Sequence, residues 1–313
     1  MKIAAFHHGD INIASTRLRS IYLFDYLFDN NIKIFRNVGL LKSLSCKIIH
    51  FHMKYKPSDL IKLIIYRIFK KIVIFDVDDN PIFFKHKFFF IIMLNLASRI
   101  SVDTKVRMLY LKKYTLNKKK IFVLRDIIDL EPNQFNKIKK KIFIDNSSFF
   151  WIGNRENYPS IHEFVQKVKK KPEIKLTIIA NLDNQNSLDI KFSNIKFYNW
   201  RKNIAFDESN FCTYAIFNHT LNYNDNFKSE NKMVLAIAAG MIPLVSDSPS
   251  YSYLAKKLDA EILIYNNFND VFGIIKKIDL QWKSEFIYRA QKYIIAEYSN
   301  KVIFKKLIQE LNL

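Results

Sequence analysis

Short apolar runs alternate with longer amphipathic segments along most of this chain. The first run, residues 2–6, leads into a polar loop, and apolar positions then recur at helical spacing to about residue 30 before a second run at 32–36. Apolar strands that alternate with amphipathic helices are typical of a parallel sheet covered by helices on both faces. The pattern therefore predicts an α/β fold of doubly wound sheets.

The same periodicity extends over the remaining residues. Further strands are predicted at residues 46–52, 71–75, 99–102, 120–124, 149–154, 174–180, 195–198, 214–217 and 242–245. Further helices are predicted at residues 57–69, 83–97, 103–113, 159–170, 233–239, 267–278, 281–298 and 299–311. A chain of 313 residues is long enough for two domains of about 150 residues each. We expect an N-terminal domain over residues 1–140, a C-terminal domain over 145–295 and a polar, basic linker at 133–141.

The segment at residues 228–247 carries the strongest local signal. Polar residues open it, helix formers follow, Gly240 stands where a helix commonly ends in the left-handed conformation, and 242–245 is a short apolar strand. Ser229 is predicted to cap the helix, so the positive end of the helix dipole would lie beside the Lys232 ammonium. Such a place attracts phosphate. From spacing alone, an ordinary capped helix and strand account for these residues equally well.

A polar loop and the start of a helix follow the first predicted strand. Ligands of doubly wound folds bind at the carboxyl ends of the strands, which is where this loop lies. Ser15 or Thr16 is predicted to cap the helix. Arg17 and Arg19 are then placed to face a charged substrate, although a solvated helix explains each arginine as well. The candidate ligand-binding side chains of this region are His8, Asp10, Ser15 and Arg17.

Histidines and carboxylates end the next two predicted strands. His50 and His52 stand two positions apart, a spacing that a two-histidine metal site uses, but no third ligand accompanies them at suitable spacing. Asp76, Asp78 and Asp79 could offer oxygen ligands to a divalent cation or form a structural turn. We therefore expect no metal, and favour a histidine that contacts substrate or packs in the core.

The charge of the chain is strongly positive and unevenly distributed. The formal net charge is +21, and residues 1–146 carry +16 of it. A basic surface attracts nucleic acid, anionic lipid and phosphorylated substrates alike, so sign alone does not identify a partner. The segment at 60–71 and the predicted helix at 83–97 mix lysines with apolar residues. The apolar run of the second is too short to span a bilayer, which needs about 20 residues. They suit a membrane interface, and equally a pair of helices that pack on the sheet while their lysines reach solvent.

Two cysteines, Cys46 and Cys212, lie far apart in apolar runs. This arrangement indicates buried free thiols in a reducing compartment rather than a disulfide framework. The apolar run at the N-terminus is also too short for a signal peptide. We therefore expect a cytoplasmic protein that associates, at most, with the inner face of the cytoplasmic membrane.

The chain resembles a known family of enzymes over most of its length, and specifically at residues 15–20, 74–80, 149–154 and 227–249. The sequence LAIAAGMIPLVSDSPSY at 235–251, preceded by Ser229 and Lys232, and VIFDVDDN at 73–80 are similar to segments of retaining glycosyltransferases of the GT-B type. The resemblance is to the group 1, GT4-like enzymes, which include those of bacterial capsule and lipopolysaccharide biosynthesis. It implies two Rossmann-like domains that face a cleft, with a final helix at 296–313 that crosses back to the first domain.

The resemblance also implies a reaction, the transfer of a sugar from a nucleotide-sugar to a glycan or lipid-linked glycan. The implied catalytic residues are Lys232, Asp79 and His52. The implied donor-binding residues are Gly153, Asn154, Tyr198, Trp200, Ser229, Asn231 and Lys232. The implied acceptor-binding residues are His8, Asp10, Ser15, Arg17 and Asp78. Lys232 and the helix N-terminus would stabilise the departing phosphate without a metal.

One departure from the family pattern concerns the donor. Many members carry two glutamates eight positions apart around this helix, and the matching residues here are Phe227 and Leu235. The nucleotide is therefore not identified. Two other interpretations stay open: a catalytically silent GT-B-like scaffold on a membrane, which would account for the lost glutamates, and a basic nucleic-acid-binding protein, which would account for the charge but lacks a recognisable motif. We expect an anionic membrane surface as an additional partner and no nucleic acid.

Overall fold

The chain divides into two compact units: unit 1 comprises residues 1–132 and 297–313, and unit 2 comprises residues 133–296. The computed structural model describes residues 1–28, 32–79, 86–129, 148–181, 192–201, 203–219 and 225–312. The predicted linker at 133–141 and the predicted domain start at 145 lie outside the described residues, as does the beginning of the predicted helix at 83–97.

Unit 1 is built on a six-stranded parallel sheet in the order β2-β1-β3-β4-β5-β6. Its strands are β1 Lys2–His7, β2 Lys33–Arg36, β3 Ile48–His52, β4 Ile72–Val77, β5 Arg99–Val102 and β6 Ile121–Val123. The central strands β3 and β4 are buried on both faces, as expected for a parallel sheet covered by helices, and they bury His50, His52 and Asp76 among apolar residues. The order reverses between β1 and β3, so the topological switch point, where doubly wound sheets bind ligands, lies at the carboxyl ends of these strands.

Helices cover this sheet. They are α1 Ala14–Thr16, a π-helical segment Arg17–Ile21, α2 Tyr22–Phe28, α3 Leu40–Leu44, α4 Pro57–Ile68, α5 Lys87–Leu96, α6 Lys105–Leu111 and the C-terminal α13 Asn300–Glu310, with a 3-10 turn at Lys118–Lys120. Leu23 and Phe24 of α2 share one core with Ile303 and Leu307 of α13 and with Ile74 of the sheet. The last helix of the chain thus belongs to the interior of unit 1.

The first helix begins differently from the prediction. Neither Ser15 nor Thr16 caps it, because the cap position is Ile13 and α1 starts at Ala14. The Thr16 hydroxyl instead donates a hydrogen bond to the backbone carbonyl of His8. A π-helical turn follows directly, and its buried residues include both arginines of the segment. Turns of this kind change the direction of side chains relative to a regular α-helix.

Arg19 and Asp76 form an ion pair in the interior of unit 1. Arg19 Nη2 lies 2.5 Å from Asp76 Oδ1 and Arg19 Nε lies 2.9 Å from Asp76 Oδ2. Arg19 Nη1 also donates to the carbonyl of Leu124 and to the carboxylate of Asp126, each at 2.8 Å. Burial alone would raise the pKa of Asp76, but the Arg19 guanidinium outweighs burial and holds that pKa well below its usual range. The pair connects the helical run after β1 to β4 and to the residues after β6.

Unit 2 contains a second six-stranded parallel sheet, in the order β9-β8-β7-β10-β11-β12. Its strands are β7 Ser148–Ile152, β8 Lys175–Ala180, β9 Ile195–Asn199, β10 Tyr214–Phe217, β11 Ile242–Ser246 and β12 Ile264–Tyr265. Its helices are α7 His162–Lys169, α8 Ile204–Ser209, α9 Asn231–Ala238, α10 Pro249–Lys257, α11 Asp270–Lys277 and α12 Leu280–Tyr298, with 3-10 turns at Arg155–Ile161, Asp225–Phe227 and Glu261–Leu263. The strand order reverses between β7 and β10, which is the switch point of this unit.

Two further predictions can be compared with the structure. Cys46 and Cys212 are buried and form no disulfide, as predicted. None of the helices in the described ranges has the length and apolarity that crossing a bilayer requires.

Removal of the Asp76 charge should destabilise unit 1. In Asp76→Asn the Arg19 guanidinium stays buried and keeps only the Asp126 carboxylate, which is 12% exposed, as an anionic partner. Removal of one partner of a buried ion pair costs about 3–5 kcal/mol. Urea unfolding followed by circular dichroism should show this loss in the free energy of unfolding, and hydrogen exchange should locate it in β4.

Asp25→Asn is the matched control, because Asp25 pairs with Arg36 at the surface, where the side chains are 43% and 34% exposed. A surface pair contributes about 0–1 kcal/mol. If both variants lost the same free energy, the Arg19–Asp76 pair would not hold the interior as we describe.

Candidate active site

The switch point of unit 2 brings together several residues that the sequence predicts for donor binding, whereas Tyr198 and Trp200 lie at the end of the edge strand β9. Gly153 and Asn154 follow β7, and Asn218 and His219 follow β10. Helix α9 begins twelve residues after His219 and returns to this edge, packing against β10 and β11. A ligand in this position would meet loop backbone, helix N-terminus and strand ends together.

Lys232, the second residue of α9, places its ammonium at this switch point. Its Nζ lies 5.5 Å from the ring centroid of Trp151 on β7 and 6.0 Å from that of Phe217 on β10. A Cβ atom added to Gly153 would lie 3.2 Å from the same nitrogen. The two strands that flank the reversal in strand order thus each contribute an aromatic ring to the surroundings of this one cation.

The Lys232 ammonium makes no ion pair or hydrogen bond within the described part of the chain. Its neighbour Lys228, by contrast, lies 2.6 Å from Asp225 Oδ1 and 3.3 Å from Asn157 Oδ1. Burial, and then the Lys228 charge, lower the pKa of Lys232 to about 8. A partly buried cation that lies against two aromatic rings and has no ion pair or hydrogen bond among the described residues is incompletely solvated. A bound anion would complete its environment.

The start of α9 corrects one prediction and its end confirms another. Ser229 does not cap the helix, since α9 begins at Asn231 and Glu230 occupies the cap position. The Ser250 hydroxyl donates to the carbonyl of Lys228 at 2.5 Å and so fixes the segment just before the helix. At the other end Gly240 has a φ of 76°, and the two reverse hydrogen bonds of a Schellman motif close the helix, as expected for a glycine there.

His219 is a site residue that the sequence analysis missed. Its ring stacks on Tyr251 with centroids 4.3 Å apart, Nδ1 lies 3.2 Å from Ser248 Oγ, and its backbone N–H donates to Ser246 at 2.9 Å. Burial, followed by the charge of Lys232, lowers the pKa of His219 to about 3. The ring is therefore neutral near pH 7 and leaves Lys232 as the charge at this point. The sequence feature that could have identified His219 is its position directly after the strand at the switch point.

A neighbouring aromatic ring leaves no room for a side chain at Gly153. A Cβ at this position would lie 2.6 and 2.7 Å from two atoms of the Trp151 indole. The Trp151 indole and Lys232 Nζ thus lie where a side chain at this position would stand, and contact between Gly153 and a donor stays a prediction. Asn154, the next residue, is exposed and directly precedes the 3-10 turn Arg155–Ile161.

The aromatic residues at the end of β9 have mainly internal contacts. Tyr198 is hydrogen-bonded to Glu208 of α8, and burial raises the pKa of its phenol. The Trp200 backbone N–H donates to the carbonyl of Ala180 at 3.0 Å. Stacking of either ring on a nucleotide base stays a prediction.

Of the acceptor residues predicted in unit 1, Arg17 has the most definite internal role. Its guanidinium donates to both carboxylate oxygens of Asp129, at 2.8 and 2.6 Å, and the arginine side chain is 3% exposed. His8 and Asp10 are exposed, and the Asp10 carboxylate accepts a hydrogen bond from the backbone N–H of Asn12 at 2.8 Å. Ser15, in α1, is partly buried. Substrate contact by these residues stays a prediction.

The histidines and carboxylates at the ends of β3 and β4 form a second group in unit 1. His52 Nε2 lies 3.3 Å from Asp78 Oδ1, and although burial opposes a charged imidazole, Asp78 raises the pKa of His52. His50 Nε2 lies 3.6 Å from Asp76 Oδ2, and burial lowers the pKa of His50. Asp79 is exposed. In the described ranges no three side chains of the metal-binding types come together.

Comparison with known proteins gives a fold. No family model and no curated protein matches the chain. An α-glucosyltransferase in complex with UDP matches with a TM-score of 0.70 and 11% identity over 100% of both chains. The α-glucosyltransferase with UDP and a 13-mer DNA matches with a TM-score of 0.71 and 12% sequence identity. HepE of Anabaena with UDP matches with a TM-score of 0.67 and 13% identity, and both matches cover 100% of both chains. TarM matches with a TM-score of 0.59 and 14% sequence identity, over 85% of this chain and 55% of the TarM chain.

The chain has the GT-B fold. The narrower resemblance, to the retaining GT4-like group, stays a prediction. The positions that carry glutamates in many members of that group hold Phe227 and Leu235 here, and both are buried, at 5% and 6% exposure. Neither side chain offers a hydrogen bond to a ribose, so a ribose bound to this GT-B chain would need other partners.

Addition of one methyl group should disturb the Lys232 environment. In Gly153→Ala the new Cβ would collide with the rigid Trp151 ring, and overpacking of this kind costs about 1–3 kcal/mol. We expect a lower melting temperature and a change in tryptophan fluorescence.

Gly273→Ala is the control, because a Cβ there has no neighbour within 4 Å and the residue lies inside α11. Alanine in a helix is favoured over glycine by roughly 0.5–1 kcal/mol, so this variant should melt at the same or a higher temperature. A Gly153→Ala protein as stable as the Gly273→Ala protein would show that the close packing we describe is absent.

Proposed function

We propose that this protein is a glycosyltransferase that binds a nucleotide-sugar, with UDP as the first nucleotide to test. The observation that carries the proposal is the Lys232 ammonium, partly buried and without an anionic partner in the described residues, at the switch point of a GT-B unit. A diphosphate is the anionic part of such a donor. UDP is bound in the similar α-glucosyltransferase and HepE structures, which supports the choice of nucleotide.

The chemistry follows from where charge develops. The bond between the anomeric carbon of the sugar and the phosphate oxygen breaks, and its electron pair leaves with the nucleoside diphosphate. An acceptor hydroxyl forms the new bond to that carbon and loses its proton. Lys232 and the N-terminus of α9 would stabilise the negative charge of the departing diphosphate, which is electrostatic leaving-group catalysis. A fixed cation supplies this stabilisation without requiring a metal, and retention of configuration rests on the family resemblance alone.

We propose a glycan or lipid-linked glycan of a bacterial surface polysaccharide as the acceptor, on the family resemblance. Asp79 and His52 keep their proposed catalytic roles, with Asp79 the better placed to take a proton because it is exposed. His52 is 1% exposed and lies against Asp78, so it would act by positioning that carboxylate.

DNA is the second candidate acceptor. The observation that favours it is the DNA present with UDP in a complex of the similar α-glucosyltransferase. The charge of +16 on residues 1–146 is compatible with DNA but does not select it.

Replacement of Lys232 by methionine should stabilise the empty protein and abolish its response to ligand. Because burial lowers the pKa of Lys232, its charge destabilises the unliganded fold at neutral pH, and methionine keeps the volume without the charge. The wild type should melt at a higher temperature with saturating UDP, since a ligand of the native state stabilises it by about 2.7 kcal/mol at 100 times its Kd. Differential scanning fluorimetry against UDP, GDP, CMP, ADP and TDP, with and without magnesium, measures both effects.

Lys276→Met is the matched control, since Lys276 is exposed in the last turn of α11. It should bind the nucleotide as the wild type does. A Lys232→Met protein that keeps the full nucleotide response would refute the donor site. Salt-sensitive binding of duplex DNA without any nucleotide response would favour the nucleic-acid-binding interpretation instead, and lipid binding without it would favour the silent scaffold.

Nucleotide affinity should fall as Lys232 loses its proton. The pKa of Lys232 is about 8 in the empty protein, and a bound diphosphate raises it, so the charged form that binds the anion prevails below that value. Isothermal titration should therefore show weaker UDP binding above roughly pH 8, with proton uptake on binding between about pH 8 and 9. The uptake should be absent in Lys232→Met. A pH-independent affinity in the wild type would contradict a direct contact between Lys232 and the diphosphate.

A further inference from the structure

Helices α4 and α5 lie side by side on one face of the unit 1 sheet. They follow the neighbouring strands β3 and β4 and pack against each other, and right-handed crossovers place both on the same face. Each helix turns one side inward, since Leu63 and Tyr66 of α4 and Phe90 and Met93 of α5 are all 0% exposed. The opposite sides of the two helices therefore face away from the core.

The outward sides of these helices carry exposed apolar residues. Ile61, Ile64 and Ile68 form a stripe at helical spacing along α4 and are 60%, 41% and 71% exposed. On α5, Phe88 is 70% and Leu96 is 37% exposed. We call residues 54–71 and 86–96 the α4–α5 surface. Exposed apolar side chains grouped on adjacent helices mark an interaction surface, unlike the scattered ones that any protein has.

The charge on the α4–α5 surface has one sign. Its residues include seven Lys and Arg and a single acidic residue, Asp59. Asp59 is 7% exposed and accepts a hydrogen bond from the backbone N–H of Lys56 at 3.1 Å, so its carboxylate is withdrawn from solvent. Lys70 and Lys87, by contrast, are exposed beside the two helices. The partner of this surface should therefore be both apolar and anionic.

An anionic bilayer meets both requirements. Apolar side chains of an interfacial helix enter the boundary between headgroups and acyl chains, while lysines contact the anionic headgroups. Duplex DNA would neutralise the lysines but leave the isoleucine stripe in water. A two-fold dimer would cover the stripe but place the basic residues opposite their own copies. We propose that the α4–α5 surface holds the protein peripherally on membranes that contain anionic phospholipid.

Sedimentation with lipid vesicles tests the proposal on the whole chain. The protein should bind vesicles of phosphatidylcholine with phosphatidylglycerol, bind less at high salt, and bind vesicles of phosphatidylcholine alone weakly. No nucleotide or turnover is involved, so this test and the test of the donor site fail independently.

Two sets of substitutions separate the apolar and charged contributions. Ile61→Gln/Ile64→Gln/Ile68→Gln and Lys70→Gln/Lys87→Gln should each weaken binding on the order of tenfold. The matched control is Ile262→Gln/Leu280→Gln/Ile295→Gln, which alters apolar residues of unit 2 that are 39%, 55% and 41% exposed. It should bind as the wild type does. Circular dichroism checks that each variant folds.

A positional probe shows which surface meets the lipid. An environment-sensitive fluorophore on Ile64→Cys should shift to the blue with anionic vesicles, whereas the same label on Ile295→Cys should not; the native cysteines are buried. Equal binding by the isoleucine variant and the wild type would overturn the proposal. So would a label that responds to DNA but not to vesicles, or one that responds to protein concentration alone, which would indicate nucleic acid or a second copy as the occupant.

Discussion

The buried ion pair between Arg19 and Asp76 is the interaction on which the interior of unit 1 depends. It joins the helical run after β1 to β4, and the bonds from Arg19 to Leu124 and Asp126 reach the residues after β6. Three segments far apart in sequence are thus joined through the Arg19 guanidinium, whose charge the carboxylates balance. Its net contribution to stability is smaller than its short distances suggest, because both groups lost their water on folding. The large cost falls on any rearrangement that separates them, and this is what fixes the loop and helix at the carboxyl edge of the sheet.

Lys232 of unit 2 is the opposite case. Lys228 nearby has its carboxylate in Asp225, whereas Lys232 is surrounded by the rings of Trp151 and Phe217. Burial lowers the pKa of Lys232, so the charged form of this lysine opposes folding at neutral pH. In a protein selected for stability alone, we would expect Lys232 to have a carboxylate partner or to be replaced by an uncharged residue. A stability cost of this kind is common where a site serves function rather than stability, and it is the basis of the proposal that an anionic ligand completes this environment.

Periodicity in the sequence was enough to predict the strands except the two-residue β12, the parallel sheets and the glycine that ends α9, because these depend on neighbours within a few positions. The helix caps were predicted wrongly at Ser15, Thr16 and Ser229. Each of these segments is fixed by a contact from another part of the chain, such as the Ser250 hydroxyl on the Lys228 carbonyl. The burial of Arg17 and Arg19 could not be read locally either, since their partners Asp129 and Asp76 stand 112 and 57 positions away. The same holds for His219, whose stacking on Tyr251 brings two elements together.

These long-range ion pairs also determine where the unbalanced positive charge of the first half of the chain lies. The sequence places two arginines beside the first strand, at the edge where a doubly wound sheet binds ligands. In the folded chain their guanidinium groups are taken up by Asp129, Asp76 and Asp126, so they add little to the field at that edge. The surplus of positive charge in the first half is left to lysines, among them Lys70 and Lys87, which are exposed next to the isoleucine stripe of α4. The basic character of unit 1 therefore describes its outer helical surface more than its switch point, and an uncharged acceptor is fully compatible with it.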